Sequence, residues 1–389
     1  PPLLVPFKTF VSASEPDLNG DFSATYTITM VNVGGSSTTY DLIDTPAPDI
    51  NVIVNGASVS GYAVLSFTNA GPYTLATDEL IGAGSNHVYT LVLDLTLGEG
   101  IRTGISSASQ CLPGSRGFEA NNGLFNAVTA TYGTNDTTVT TNACGEIPPF
   151  LLIDKQFVSA TEPDLSGAFT AVYNVTVENV GGSIGTYDLS DTPAPDTNIT
   201  VNGASVSGQV TTNFTGAGPY ALASGASIAV GATHTYTLSV SLTLESQVLA
   251  GAAFITTCGE GSGTPVAGEG LFNAATVTYG TNSTSITTND CGDVPPFLLI
   301  DKTFVSASEP SLSGAFSATY NITVVNVGGQ VGTYDLSDTP APDTNVTVNG
   351  AAVTGQATNS FVGAGPYTLA SGASIAVGAT HTYTLTVDL

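Results

Sequence analysis

The 389-residue chain has no tryptophan, one methionine, five lysines and arginines together, three histidines and four cysteines. Each scarcity excludes something. Charged side chains make up 9% of the residues, against a usual share of about 25%; the helix-favouring Lys, Arg, Glu and Met are scarce, while Thr, Val, Ser and Gly abound. Such a composition predicts an all-β protein. With 31 acidic residues against 5 basic ones the net charge is -26. Nucleic acid and anionic membranes both require a basic footprint and are not expected as partners, so cations are the favoured ionic ones. No apolar run reaches the roughly 18 residues of a membrane span. No basic-then-apolar leader opens the chain, and Pro1 stands first, which reads as a mature product or a window on something longer.

What is present is repetition. Lys8, Lys155 and Lys302 are spaced by 147 residues, and so are His87, His234 and His381. The same 147 separates Cys111 from Cys258, Cys144 from Cys291 and Tyr132 from Tyr279. A unit of 147 residues therefore occurs twice in full, at 1–147 and 148–294, and continues for 95 residues of a third at 295–389. This period far exceeds the roughly 20–50 residues of a solenoid repeat and has the size of a domain with its own core. The third unit lacks the closing hairpin and cysteines of the others, so either the sequence is a window on a longer repeat or a neighbouring subunit's strand completes the fold.

Within the stretch Phe316 to Asp343, Phe316, Ala318, Tyr320 and Ile322 alternate with Ser317, Thr319, Asn321 and Thr323, the period of a half-buried strand that needs a second sheet to cover its apolar face. A short strand follows at Thr333 to Leu336, before Thr339-Pro340-Ala341-Pro342. In the second unit, strands are expected at 150–158, 169–180 and 187–189. A hairpin is expected from 198–201 and 205–214 around Asn202-Gly203, and a long strand from His234 to Leu244. An irregular crossover, 245–270, leads to a closing hairpin at 271–279 and 283–289. Roughly nine strands at this spacing predict tandem immunoglobulin-like β-sandwich domains. Pro-Pro-Phe junctions such as Pro295-Pro296-Phe297 leave little free chain between units.

The opening LLIDKxF, then ATYxITVVNVGG, TYDLxDTP and GATHTYTLTVDL, in that order, resemble the prokaryotic surface-protein conserved repeat domain, the domain-of-unknown-function-eleven family. The cysteine-bearing part after Leu244 lies outside the match. The resemblance implies sandwich modules strung in tandem on large secreted or wall-attached bacterial and archaeal proteins, at the cell surface, with no catalytic residues. The expected function is non-enzymatic: an extracellular filament or surface fibre built by self-association or by further copies of the repeat. The alternative is the stalk of a cell-surface adhesin presenting a distal binding tip.

Few side chains suggest chemistry. Each complete unit has two cysteines 33 residues apart. An even count at a repeated spacing predicts the disulfides Cys111 with Cys144 and Cys258 with Cys291, and a place outside the cytoplasm. One histidine per unit cannot build a metal cage or a Ser-His-Asp triad, and no phosphate-binding or dinucleotide motif occurs. Asp188, Asp191 and Asp196, with Asp41, Asp44, Asp49 and Asp335, Asp338, Asp343 as equivalents, are a candidate calcium set, the alternative being aspartates that cap turns. Glu15, Asp17, Asn19 and Asp21 make a weaker set, since the third unit keeps Glu309 but has Ser311 and Ala315.

Lys155 shares a strand face with Ile153 and Phe157, and a lysine facing a core is costly unless its charge is removed or paired. It is expected to snorkel outward, to pair with Asp154 or Glu162, or to form a spontaneous amide with Asn282 or Asn289 on the closing strand, helped by a buried carboxylate. Lys8 and Lys302 are its equivalents. Asn135, Asn174, Asn198, Asn213, Asn282, Asn321 and Asn345 lie in Asn-x-Ser/Thr contexts, candidate glycosylation sites of a kind that arises often by chance in a Thr-rich chain.

Overall fold

The computed structural model describes residues 1–115, 117–259 and 263–389. Its first unit contains β1 (Leu4–Ala13), β2 (Asp21–Asn32), β3 (Thr38–Pro46), β4 (Val52–Gly61), β5 (Leu65–Phe67), β6 (Tyr73–Ile81) and β7 (Asn86–Leu97). After these come a short helix α1 (Glu99–Arg102), a small ribbon of β8 (Pro113–Gly114) and β9 (Gly117–Phe118), and the hairpin β10 (Asn126–Tyr132) and β11 (Thr137–Ala143). Two antiparallel sheets result, β1-β2-β7-β4-β5 and β11-β10-β3-β6.

The second unit repeats the plan with β12 (Leu151–Ala160), β13 (Ala168–Asn179), β14 (Gly185–Pro193), β15 (Ile199–Gly208), β16 (Thr212–Thr215), β17 (Tyr220–Ile228), β18 (Thr233–Leu244), helix α2 (Ser246–Leu249), β19 (Asn273–Tyr279) and β20 (Thr284–Asp290). Its sheets are β12-β13-β18-β15-β16 and β17-β14-β19-β20. The third unit has β21 (Leu298–Ala307), β22 (Ser317–Asn326), β23 (Gly332–Asp338), β24 (Gly350–Gly355), β25 (Asn359–Val362), β26 (Tyr367–Ile375) and β27 (Thr380–Asp388). It keeps the five-stranded sheet, with β23-β26 opposite. The protein is all-β, a tandem array of sandwiches. Among the described residues no helix is long and apolar enough to cross a membrane.

Alternation explains the layers. Along β2, Phe22, Ala24, Tyr26, Ile28, Met30 and Asn32 are buried while every intervening residue has some contact with solvent, so one face of the pleat meets the opposing sheet. Three separate cores follow. The first takes in Phe150 and Val180 of the next unit, and the second takes in Phe297 and Val327.

Four local features differ from the sequence expectation. No strand is expected at 220–228, where β17 pairs with β14. The strand expected at 187–189 runs from Gly185 to Pro193, because its second edge is covered by β19, and Pro193, which has no N–H to donate, sits at its last position opposite Asn273. The crossover 245–270 begins with the single helical turn of α2, and residues 260–262 of that stretch lie outside the described residues. Asn202-Gly203 is a β-bulge, not a hairpin turn: β15 continues through it, with a register shift between Val201 and Gly203 against β18.

Glycine is required at that bulge by crowding. A Cβ on Gly203 would lie 2.4 Å from the Phe214 carbonyl oxygen, as would one on Gly56 from that of Phe67. Gly203→Ala should therefore push β16 off the sheet and cost about 1–3 kcal/mol, read as a lower denaturant midpoint for the second unit. An unchanged midpoint would contradict the crowding.

Candidate functional site: a buried lysine, aspartate and asparagine between the sheets

In each complete unit one lysine points inward from the five-stranded sheet. Lys8 lies on β1 opposite Ile28 of β2, and its side chain is fully buried, as is that of Lys155. Across the core, Asp44 of β3 and Asn126 of β10 come from neighbouring strands of the other sheet. Asp44 is opposite Val128 and Asn126 opposite Pro46, so the two lie on the inward face, one step of alternation apart. Lys8 Nζ donates to Asp44 Oδ2 and, at 3.3 Å, to the Ala127 carbonyl. It also sits 5.2 Å from the centre of the Tyr26 ring. Lys155, Asp191, Asn273 and Tyr173 repeat the group, with Nζ 4.8 Å from the ring centre.

Burial dominates the electrostatics. Desolvation pushes the Lys8 amine down to about 8, against the pull of Asp44, and pushes the Asp44 carboxyl up, against the pull of Lys8. The shifts at Lys155 and Asp191 have the same signs and the same first cause. Both shifts favour the neutral pair, an amine beside a carboxylic acid. Asn126 and Asn273 are 0% exposed and lie against Asp44 and Asp191, whose carboxyls each amide pulls down as a hydrogen-bond donor; neither amide, nor Asp44 Oδ1 or Asp191 Oδ1, makes a close hydrogen bond.

The partners foreseen for Lys155 are thus corrected. It pairs with Asp191 rather than with Asp154 or Glu162. The asparagine near it is Asn273, since Asn282 in the hairpin tip and Asn289 on β20 both face solvent. In the third unit Lys302 contacts Asp338 beside Tyr320, but its side chain is 38% exposed, in a cleft also lined by Pro340, Val387 and Leu389.

The aspartates expected to share a cation are dispersed. Asp41, Asp188 and Asp335 each accept a backbone N–H from the opposite strand, from Asp78, Gly225 and Gly372 at 2.8, 2.7 and 2.7 Å. Asp49 accepts from the Asn51 and Ser109 amides, Asp196 from those of Asn198 and Thr256, and Asp343 from that of Asn345. Asp44, Asp191 and Asp338 turn inward to the lysines. Among the described residues no three acidic, histidine or cysteine side chains gather as a metal site. In the turn of Glu15, Asp17 accepts the Asn19 and Asp21 amides in the manner of an Asx turn.

Disulfides join Cys111 to Cys144 and Cys258 to Cys291, each with Cα atoms 5.9 Å apart. Of the glycosylation candidates, Asn135, Asn213, Asn282 and Asn345 are exposed. Asn174 and Asn321 instead accept hydrogen bonds from Thr237 and Thr384, and Asn198 donates to Asp196.

Each histidine joins a tyrosine pair. His87, His234 and His381 hydrogen-bond through Nδ1 with Tyr40, Tyr187 and Tyr334 at 2.8, 2.7 and 2.7 Å. Only the first unit covers its imidazole with a tyrosine, for Tyr62 stacks on His87 at 3.6 Å and its hydroxyl donates to Glu79, where Gln209 and Gln356 stand in the other units. Burial pushes the His87 imidazole below its usual value, against the pull of Glu79. The folded state then holds fewer protons than the unfolded one in the window just below the ordinary histidine value of about 6.5, so the site's stabilisation is full above that value and is lost as pH falls through the window. The melting temperature of the first unit should decline between about pH 7 and about pH 5, and less so in Tyr62→Gln, which uncovers the ring. A steeper decline in the variant would reverse this reading.

No protein-family model matches the chain, and no curated protein matches it. Among solved structures it is similar to red sea bream transglutaminase, with 12% identity over 72% of this chain and 30% of that one and a TM-score of 0.19. It is similar also to the secreted serine protease VesC from Vibrio cholerae, with 6% identity over 60% and 44% and a TM-score of 0.19. A third is the B domain of a biofilm-associated protein, with 10% identity over 72% and 85% and a TM-score of 0.19. The chain spans less than half the length of the first two. Likeness at this level says nothing about activity.

Proposed function

We propose that the chain is a structural repeat protein, without enzymatic activity, whose sandwiches form an extracellular filament or surface fibre. The observation that carries this reading is a junction that recurs in the same form. Ala108 N–H donates to the Val180 carbonyl at 2.8 Å, and 147 residues on Ile255 donates to Val327 at 3.3 Å. Gly182 donates to Ile147 at 3.1 Å, and Gly329 to Val294 at 3.0 Å. Phe150 and Val180, and then Phe297 and Val327, also carry each following unit into the core of the one before.

A second strap crosses the first junction, where Glu15 accepts the Thr281 N–H at 2.8 Å and that of Asn282 at 3.2 Å. With no free chain between them, neighbours hold one pose, and a repeated pose generates a straight or helical rod. The disulfides fit an oxidising compartment outside the cytoplasm, and the sequence resemblance to surface-protein repeats points the same way. Electron microscopy of native material tests the reading. Rods with a constant rise per unit, associated laterally or helically, are expected. Single tethered rods with a distinct tip would favour an adhesin stalk instead, and loose strings of independently oriented beads would overturn both.

A further inference from the structure

We propose that Lys8 and Asn126, and likewise Lys155 and Asn273, become covalently joined by a side-chain amide, with Asp44 and Asp191 relaying the protons. The inference stands apart from the fibre reading and rests on the arrangement between the sheets. A buried ion pair accounts for a lysine and an aspartate. It does not account for an asparagine held at 0% exposure in each complete unit, set against the aspartate with neither amide atom in a close hydrogen bond. Buried amides without a close hydrogen bond are rare because little offsets their desolvation, and an identical one 147 residues on requires an explanation specific to this place.

The three side chains supply what an amide exchange needs. Lys8 in its neutral form is the nucleophile, a form that burial favours as it favours the protonated form of Asp44. Nζ attacks Asn126 Cγ while the Asp44 acid donates to the Asn126 carbonyl oxygen, which bears the developing charge. Having given its proton to that oxygen, Asp44 takes one from Nζ, passes it to the departing nitrogen, and takes back the proton on the oxygen as the carbonyl re-forms. The Cγ–Nδ2 bond breaks, ammonia leaves, and a Nζ–Cγ amide remains. One amine and one primary amide become one secondary amide and ammonia, with no oxidant and no further reactant. The Tyr26 ring beside Nζ, its hydroxyl held by the Leu124 carbonyl at 2.5 Å, and the apolar core around it keep out the water that would otherwise compete for Cγ. The third unit is an internal control: it has Lys302 and Asp338 but, among the described residues, no counterpart of Asn126.

Mass spectrometry of the full chain after disulfide reduction tests the proposal. The expected mass is two ammonia molecules below that of the sequence, and proteolysis should release branched peptides joining the Lys8 strand to the Asn126 strand and the Lys155 strand to the Asn273 strand. Asn273→Ala should remove one of the two deficits. Lys302→Ala should leave both in place. Asn126→Asp keeps the shape of the site, and its bond would expel water, so the deficit on the first branched peptide should change from ammonia to water. Asp44→Asn should leave the first unit uncrosslinked while the second remains joined, which also reports that the chain has folded. An intact mass without deficits would overturn the proposal. So would a loss of water in the unaltered chain, which would make the aspartate, not the asparagine, the acyl partner.

Discussion

Asp191→Ala should destabilise the second sandwich by about 3–5 kcal/mol, the cost of leaving one member of a buried pair without its partner. Lys155 has no route to solvent, for its side chain is completely covered. Its surroundings include the Tyr173 ring and Asn273, and the Asp290 carboxylate also pulls on its charge. Without Asp191 the amine must stay neutral or drag water inward. Replacing both, as Lys155→Met with Asp191→Leu, should recover part of the loss, because neither ionisable group is then buried without its partner. Denaturant unfolding measures both variants. A single variant as stable as the parent would mean that Lys155 escapes the core in a way the structure does not contain.

The second large effect is expected at the disulfides. Cys258→Ser with Cys291→Ser opens a loop closed across a sequence separation of 33, worth about 3–4 kcal/mol in the chain-entropy account. The loss should fall mostly on the second unit. The bridge ties the irregular segment after α2 to the strand end beyond β20, and Cys258 N–H is also held there by the Asp293 carboxylate at 2.7 Å. Serine at both positions keeps that backbone contact. A drop well below 1 kcal/mol would indicate that the contact, not the bridge, holds the segment.

The sandwich was legible because alternation with a period of two is dictated by the pleat and needs no partner to be recognised. Phe169, Ala171, Tyr173, Val175 and Val177 announce their face before anything is known of the opposing sheet. The inward lysine was legible for the same reason. Its companions were not, since Asp191 lies 36 residues away and on the other layer, and aspartates gathered near a turn also suggest a cation. Asn273 carried a signal that the reading passed over: counted back from Tyr279 through Val277 and Ala275, it falls on the inward face of β19. The more obvious candidates at the end of the second unit, Asn282 and Asn289, are on the tip and the outer face. Asn202-Gly203 misled because the same dipeptide serves a tight turn and a bulge. What separates the two is the closeness of the neighbouring Phe214 carbonyl, a property of the sheet and not of the dipeptide.

The places of Lys8 and Asn126 along the chain have a mechanical corollary. Lys8 follows the entry to its unit closely, whereas Asn126 opens the last hairpin before the exit at Ile147. With the two joined, tension applied at the termini runs from residue 8 straight to residue 126, and the 117 residues between them drop out of the stretched path. Unravelling that segment would otherwise yield about 400 Å of slack at full extension. A fibre of such units would resist pulling as a nearly inextensible cord.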